Sequence, residues 1–327
     1  MSAASLPLVS VIIATYNRAM SLQDVLRDLS AQQTNGAFRF EVIVVDNHSS
    51  DSTRATIEMA RGSYPVPLIY AFEGHQGKSY ALNRGLDLSS GEFVAFTDDD
   101  VILGPGWLLA MYETFHRYES DGVGGPVRPS WIGQRPAWLG QKLERQLGLV
   151  DRGSALFHVR SARTIFIGNN SAYRRALFVR YGGFNAEHGG SEDSEWFLRI
   201  LRAGHKVVYQ PAANVLHKLE STRVTPKFFS RRFAQMGRGY ALLLQQQGGK
   251  RSLCRVPLWM VRFYLDLHWR AFLAWRRGDH EEAMWHWLRR HLYFSTMAHC
   301  FLDWLMRRPL SPPPATIRPL RQQMQPT

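Results

Sequence analysis

Cysteine is nearly absent from this chain of 327 residues: Cys254 and Cys300 are the only two. Two thiols cannot staple a small secreted scaffold, and neither has metal-knuckle spacing, which fits a reducing compartment. No uninterrupted apolar run reaches the ~18 residues that a spanning helix needs. The N-terminus lacks a basic n-region, and the apolar run at 8–14 is strand-sized, too short for a secretory signal. These absences lead us to expect a soluble or peripheral membrane protein on the cytoplasmic side. The segment after the first apolar run is Tyr16-Asn17-Arg18-Ala19. It offers neither the G-x-G-x-x-G of a dinucleotide site nor the Gly-rich, Lys/Arg-marked loop of a nucleotidyltransferase.

Acidic residues are scarce in the last third. Residues 226–327 hold 17 Lys/Arg against 5 Asp/Glu, so +12 of the net +13 lies there and the first 225 residues carry about +1. Six of the ten tryptophans share that region: Trp259, Trp269, Trp275, Trp285, Trp287 and Trp304. Basic aromatic segments bind phosphate-rich surfaces. We read the region as an anionic-membrane surface element rather than a nucleic-acid binder, since nucleic-acid binding leaves the motifs below unexplained. Packing on the rest of the chain, or on a second copy, is the alternative. Two helices are predicted over 257–277 and 281–308, parted by Gly278 and a capping box of Asp279 and Glu282. Apolar residues fall nearly all round the first, which favours burial.

The remainder reads as strands alternating with helices, hence a parallel sheet wound through right-handed crossovers. Strands are expected at 9–15, 40–45, 68–72, 93–97, 207–209 and 215–217, with helices near 21–32, 53 onward, 78–86 and 192–203. Residues 122–165 look irregular. There Trp131 and Trp138 either stack on a sugar or are simply buried.

The run Phe93-Val94-Ala95-Phe96-Thr97-Asp98-Asp99-Asp100 organises the chemistry. A buried strand ending in carboxylates places them at the carboxyl edge of a sheet, where α/β ligands bind. Three adjacent like charges repel unless a cation answers them. Oxygen ligands suit Mg²⁺ or Mn²⁺, which also bridge substrate phosphates. In strand-like geometry Asp98 and Asp100 point the same way. The bland alternative is a solvated acidic turn.

Taken together, Val-Ser-Val-Ile-Ile-Ala-Thr-Tyr-Asn-Arg (9–18), Glu-Val-Ile-Val-Val-Asp-Asn (41–47), Gly-Lys-Ser-Tyr-Ala-Leu-Asn-Arg-Gly-Leu (77–86), the 98–100 carboxylates, Gly168-Asn169-Asn170-Ser171 and Ser191-Glu192-Asp193 resemble the family 2 glycosyltransferases over residues 8–220. The resemblance implies an α/β fold of GT-A type, a mostly parallel, Rossmann-like sheet flanked by helices, here with a C-terminal helical appendage. It implies a catalytic domain over 1–225, with a nucleotide-sugar-binding half (1–120) and an acceptor half (121–225). A basic helical region (226–310) and a disordered tail (311–327) follow.

By the same resemblance, Thr15, Tyr16 and Asn17 belong to the nucleotide-sugar site. Asp46 takes the imide N–H of uracil or thymine, which favours UDP or dTDP, although it could equally cap the following turn. Lys78 reaches phosphate. Asp98 faces ribose and metal, Asp100 binds the cation, and His217 completes the metal site or is merely structural. Asp193 is the general base, and one base serves a single, inverting displacement. The Q-x-x-R-W element of processive synthases is missing, so one sugar is expected per turnover, added to a glycan or lipid-linked acceptor. His48 and Ser52 stand where glycines are commoner in the turn after Asp46. A homodimer through the C-terminal helices is a further expectation.

Overall fold

The computed structural model describes residues 6–160, 168–188, 190, 192–247 and 252–306. The expected disordered tail at 311–327, and Ser191 of the Glu192-Asp193 motif, lie outside them. The first half alternates as expected: β1 (Leu8–Thr15), α1 (Ala19–Ser30), β2 (Arg39–Asp46), α2 (Thr53–Arg61), β3 (Leu68–Phe72), α3 (Lys78–Leu88) and β4 (Phe93–Thr97). All four strands are parallel, in the spatial order β3-β2-β1-β4. The chain thus winds outward from β1 through β2 and β3, then returns to the other side of β1. That reversal opens a crevice between the carboxyl ends of β1 and β4, where open α/β sheets bind ligands.

Period-two alternation along β1 feeds two cores. Val9, Val11 and Ile13 pack with Leu22, Val25 and Leu29 of α1 on one face. Ile12 packs with Ala81, Leu82 and the Trp196 region on the other. Burial on both faces is why this strand is apolar except at Ser10 and Thr15, whose buried hydroxyls donate to Glu41 and Asp99.

The second half is mixed. β5 (Val101–Leu103), α4 (Trp107–Arg117), β6 (Gly122–Gly124), β7 (Val127–Ile132), α5 (Gln141–Glu144), β8 (Phe157–His158), β9 (Asn170–Arg174), α6 (Arg175–Tyr181), α7 (Glu192–Arg202), β10 (Val207–Tyr209) and β11 (Val215–Glu220) follow. The eight-stranded sheet continues as β4-β9-β6-β10-β8, with β9 antiparallel to both neighbours. A smaller sheet orders β5-β11-β7. Its register sets His217 opposite Val101, directly after the three aspartates. So the 122–132 stretch, read as irregular, holds two strands. Trp131 and Trp138 are half-buried, packed against a core of Leu139, Leu143, Leu219 and Phe229.

Among the described residues three helices, not two, follow residue 225: α8 (Pro226–Gln247), α9 (Leu258–Arg276) and α10 (His280–Leu305), with the small hairpin of β12 (Ser252–Leu253) and β13 (Val256–Pro257) between α8 and α9. Asp279 caps α10 through the Glu282 N–H at 3.0 Å, as the capping pattern predicts. Helix α8 escaped the sequence reading because Gly237 and Gly239 sit inside it, and glycine costs about 1 kcal/mol in a helix. Gly237 is nonetheless required there: a Cβ would lie 2.5 Å from the Cβ of Ser295 on α10. Ser295 Oγ donates to the Ala234 carbonyl at 2.7 Å across the same contact. Phe229 and Phe233 of α8 and Leu288 of α10 join the Leu139 core, so the tail is packed into the body that carries the cleft.

Helix α9 is not buried all round. Met260, Leu267 and Ala274 face inward, while Leu258, Val261, Leu265, Trp269, Phe272 and Trp275 are exposed along the opposite stripe. We predict that Gly237→Val lowers the melting temperature by roughly 5 °C or more, since overpacking costs about 1–3 kcal/mol. An unchanged melting temperature would show that α8 and α10 are not in this close contact.

Candidate active site

The site collects where β1, β4 and β11 end. The three aspartates occupy the turn between β4 and β5 rather than a continued strand. Strand alternation therefore does not aim them; each is fixed by its own partner. Asp98 pairs with Lys78 Nζ. Asp99 is buried and accepts from Thr15 Oγ1 at 2.6 Å. Asp100 meets Arg18 at 3.2 Å and His217 Nε2 at 3.3 Å. Burial, then the charge of Asp100, push the Asp99 carboxyl up to about 7. Asp100 goes the other way: burial opposes its charge, but His217 and then Arg18 hold it below the usual carboxylate range. Lys78 is likewise held charged above its normal value, because Asp98 and Glu192 overcome desolvation.

Lys78 starts α3, and Asn47 positions that start. Its Nδ2 donates to the carbonyls of Glu73 and His75, at 3.2 and 2.6 Å, and its Oδ1 accepts the Gly77 N–H at 2.8 Å. Gly77 has φ 140°, a conformation that favours glycine.

Three cavities meet at Asp98, which lines all of them. One of 410 Å³ lies at the β1/β4 crevice beside Thr15, Tyr16 and Asn47. One of 760 Å³ reaches Lys78, Asn169, Glu192 and Asp193. A third, of 610 Å³, runs between β11 and α8. Asp193, in the first turn of α7, accepts from the Gly168 N–H at 2.8 Å and the Ser194 N–H at 2.6 Å. These bonds fix the carboxylate against the wall of the larger cavity. Its neighbour Glu192 is buried, and burial followed by the Asp193 charge raise it, so Glu192 takes up a proton before a normal carboxylate would.

The family model described as Glycosyl transferase family 2 matches residues 10–182. The chain belongs to that family. It is a glycosyltransferase, similar along most of its length to curated members. The succinoglycan biosynthesis protein ExoM of Rhizobium meliloti is 28% identical over 76% of this chain and 80% of its own. The glucosyl-dolichyl phosphate glucuronosyltransferase of Haloferax volcanii is 27% identical over 64% of this chain and 69% of its own. Among solved structures, the mannosyltransferase PcManGT of Pyrobaculum calidifontis, in complex with GDP-Man and Mn²⁺, has the same fold at TM-score 0.60 and 21% identity, over 94% of this chain and 89% of that one.

Two residues expected in the nucleotide-sugar site have their side chains bonded within the protein, Asn17 at the surface and Asp46 in the interior. Asn17 has φ 52°, and its Oδ1 accepts the Ser50 N–H at 2.7 Å, tying the β1 and β2 loops together. Asp46 is buried; its Oδ1 accepts the Ser49 N–H at 2.8 Å and its Oδ2 the Tyr70 hydroxyl at 3.3 Å. It caps the turn, and His48 takes φ 68° there in place of a glycine. Asp46 is not among the residues lining the 410 Å³ cavity.

Two residues were missed. Asn169 is buried at the wall of the 760 Å³ cavity, and its Oδ1 has no partner. The Gly168-Asn169-Asn170 motif signalled it, but Asn170 is the structural member, accepting from Trp107 Nε1 at 2.9 Å. Arg232 reaches the cleft from α8, and no local pattern signals it.

Proposed function

We propose that this family 2 enzyme is an inverting, metal-dependent transferase. It moves one sugar from a nucleotide-diphospho-sugar to a glycan or lipid-linked acceptor at the cytoplasmic face of a membrane. The observation that carries the reading is the 760 Å³ cavity, whose one wall surface includes Asp98, Lys78 and Asp193 together. A diphosphate side and a base side then face one space.

Asp98 and Asp100 are the residues for a divalent cation, Mg²⁺ or Mn²⁺, with His217 beside them. Among the described residues no three His, Cys, Asp or Glu side chains form a ready-made metal cage. A cation shared with phosphates needs only one or two protein carboxylates, and the hard oxygens present suit it. A cation held by Asp98 and Asp100 would supply positive charge to offset that of the leaving diphosphate. The protein supplies the rest. Asp193 removes the acceptor hydroxyl's proton as its oxygen bonds to the anomeric carbon. The bond from that carbon to the phosphate oxygen breaks on the opposite face, and its electron pair leaves with the nucleoside diphosphate. One displacement inverts the centre. Lys78, held charged, receives the growing negative charge.

UDP or dTDP is the donor nucleotide that the family motif at Asp46 favours, and for an imide N–H to reach that carboxylate the turn that Asp46 now caps through Ser49 and Tyr70 has to open. The acceptor class is supported by the relatives' names, one for succinoglycan biosynthesis and one for a glucosyl-dolichyl phosphate.

Membrane association is supported by α9. No helix among the described residues is long and apolar enough to cross a bilayer. The exposed α9 stripe has Arg262, Arg276 and Arg277 on its solvent side. Interfacial helices combine such aromatics with cations for anionic head groups.

Asp193→Asn is expected to bind donor normally and lose transfer by roughly 10²–10⁴-fold. Lost donor affinity with a normal rate at saturation would make Asp193 a donor contact instead. In co-sedimentation, wild-type protein should bind anionic vesicles, release with salt, and lose binding when Leu265 and Trp269 are changed to Glu. A stable dimer that ignores vesicles would assign the stripe to a second copy.

A further inference from the structure

We infer that the 610 Å³ cavity between β11 and α8 is a second anion site, which takes a phosphate or diphosphate carried by the acceptor. This rests on the transfer reading above, which places the donor's diphosphate at Asp98, Asp100 and Lys78.

One face of α8 lines the cavity. Lys227, Phe228, Arg231, Arg232 and Gln235 recur at helical spacing, and all border it. Arg18, Lys218 and Arg223 border it from the other side, and Asp98, Asp100 and His217 of the proposed cation site form the end where it meets the donor's space. The three cations of that other side are already answered: Arg18 by Asp100, Lys218 by Asp24 at 2.7 Å, and Arg223 by Glu220 at 3.6 Å. Lys227, Arg231 and Arg232 have no hydrogen bond or ion pair among the described residues. Arg232 is the telling member. Its Nε is buried without a partner, a desolvation penalty that an arriving acceptor would relieve. Burial holds its pKa below the usual guanidinium value, against the pull of Asp193, Glu192 and Asp98.

The start of α8 adds to the positive field. Thr225 and Val224 line the cavity, and Thr225 Oγ1 caps the helix through the Phe228 N–H at 3.2 Å. The amino end of a 22-residue helix therefore opens onto the same space.

Position decides which phosphate belongs here. Arg232 borders both this cavity and the one that holds Asp193. A phosphate held by Lys227, Arg231 and Arg232 sets the sugar attached to it beside the base. The donor's own diphosphate needs none of the three, because Lys78 and the proposed cation answer it. A neutral glycan acceptor leaves the three cations without a role.

The test uses the full chain and calorimetry, with UDP and Mn²⁺ held saturating. A short-chain prenyl diphosphate is then titrated as the probe. Wild-type protein should bind it saturably while the nucleotide site is full. In the double variant Lys227→Gln with Arg231→Gln, two exposed positions, probe affinity should fall about tenfold or more, and UDP affinity should hold within roughly twofold. A parallel fall in UDP affinity would assign the cavity to the donor's diphosphate and overturn the inference. So would a wild-type protein that binds UDP with Mn²⁺ but not the probe. Failure of wild-type protein to bind UDP with Mn²⁺ at all would instead strike the transfer reading beneath it.

Discussion

The rest of the structure depends on the repulsion among Asp98, Asp99 and Asp100. Three carboxylates in one turn are unfavourable unless their charge is answered, and each answer comes from a different element. Thr15 comes from the end of β1, Arg18 from the loop after it, Lys78 from the start of α3 and His217 from β11. The order of the sheet makes this convergence possible. Because β4 lies beside β1, with β2 and β3 on its far side, the loops after β1 and β4 face each other. Because β11 pairs with β5, His217 is delivered to the same turn.

The other half of the site follows from how the chain closes. Antiparallel β9 brings Asn169 and Gly168 to the cleft, and the Gly168 N–H fixes the carboxylate of Asp193. The C-terminal helices complete the wall. Their basic character looked like a property of an appendage, yet Arg232 stands with its Nε buried at the junction of two cavities. The charge of the tail therefore has two roles here: part of it borders the cleft, and part lies beside the exposed α9 stripe.

Much of this was legible because local rules and tertiary demands agreed. Strand β4 falls at the expected residues, since a strand buried throughout must be uniformly apolar, and the edge strand β3 falls at its own because its apolar run ends at Pro67 and Glu73. Glu192 and Asp193 open α7 as acidic first-turn residues should. What stayed hidden was set by distant partners. Gly237 reads as a helix breaker until Ser295 is seen against it. Trp131 and Trp138 read as loop aromatics until Leu219 and Phe229 are seen to cover them. Asn17 and Asp46 carry a binding motif, but their side chains are used in holding the loops. Spacing along one helix suggests a face; it does not say that Arg231 and Arg232 share a cavity with Asp98 and Asp100, more than a hundred positions earlier.

The central claim is that the Asp98–Asp100 turn holds a divalent cation together with the donor's diphosphate. The most direct measurement is diffraction at the manganese absorption edge from crystals grown with UDP and Mn²⁺. The account predicts one anomalous peak in contact with Asp100, between the carboxylate and the nucleotide's phosphates, with the Lys78–Asp98 pair rearranged toward them. A nucleotide bound without manganese at that turn, or manganese at a site apart from Asp98 and Asp100, would contradict it.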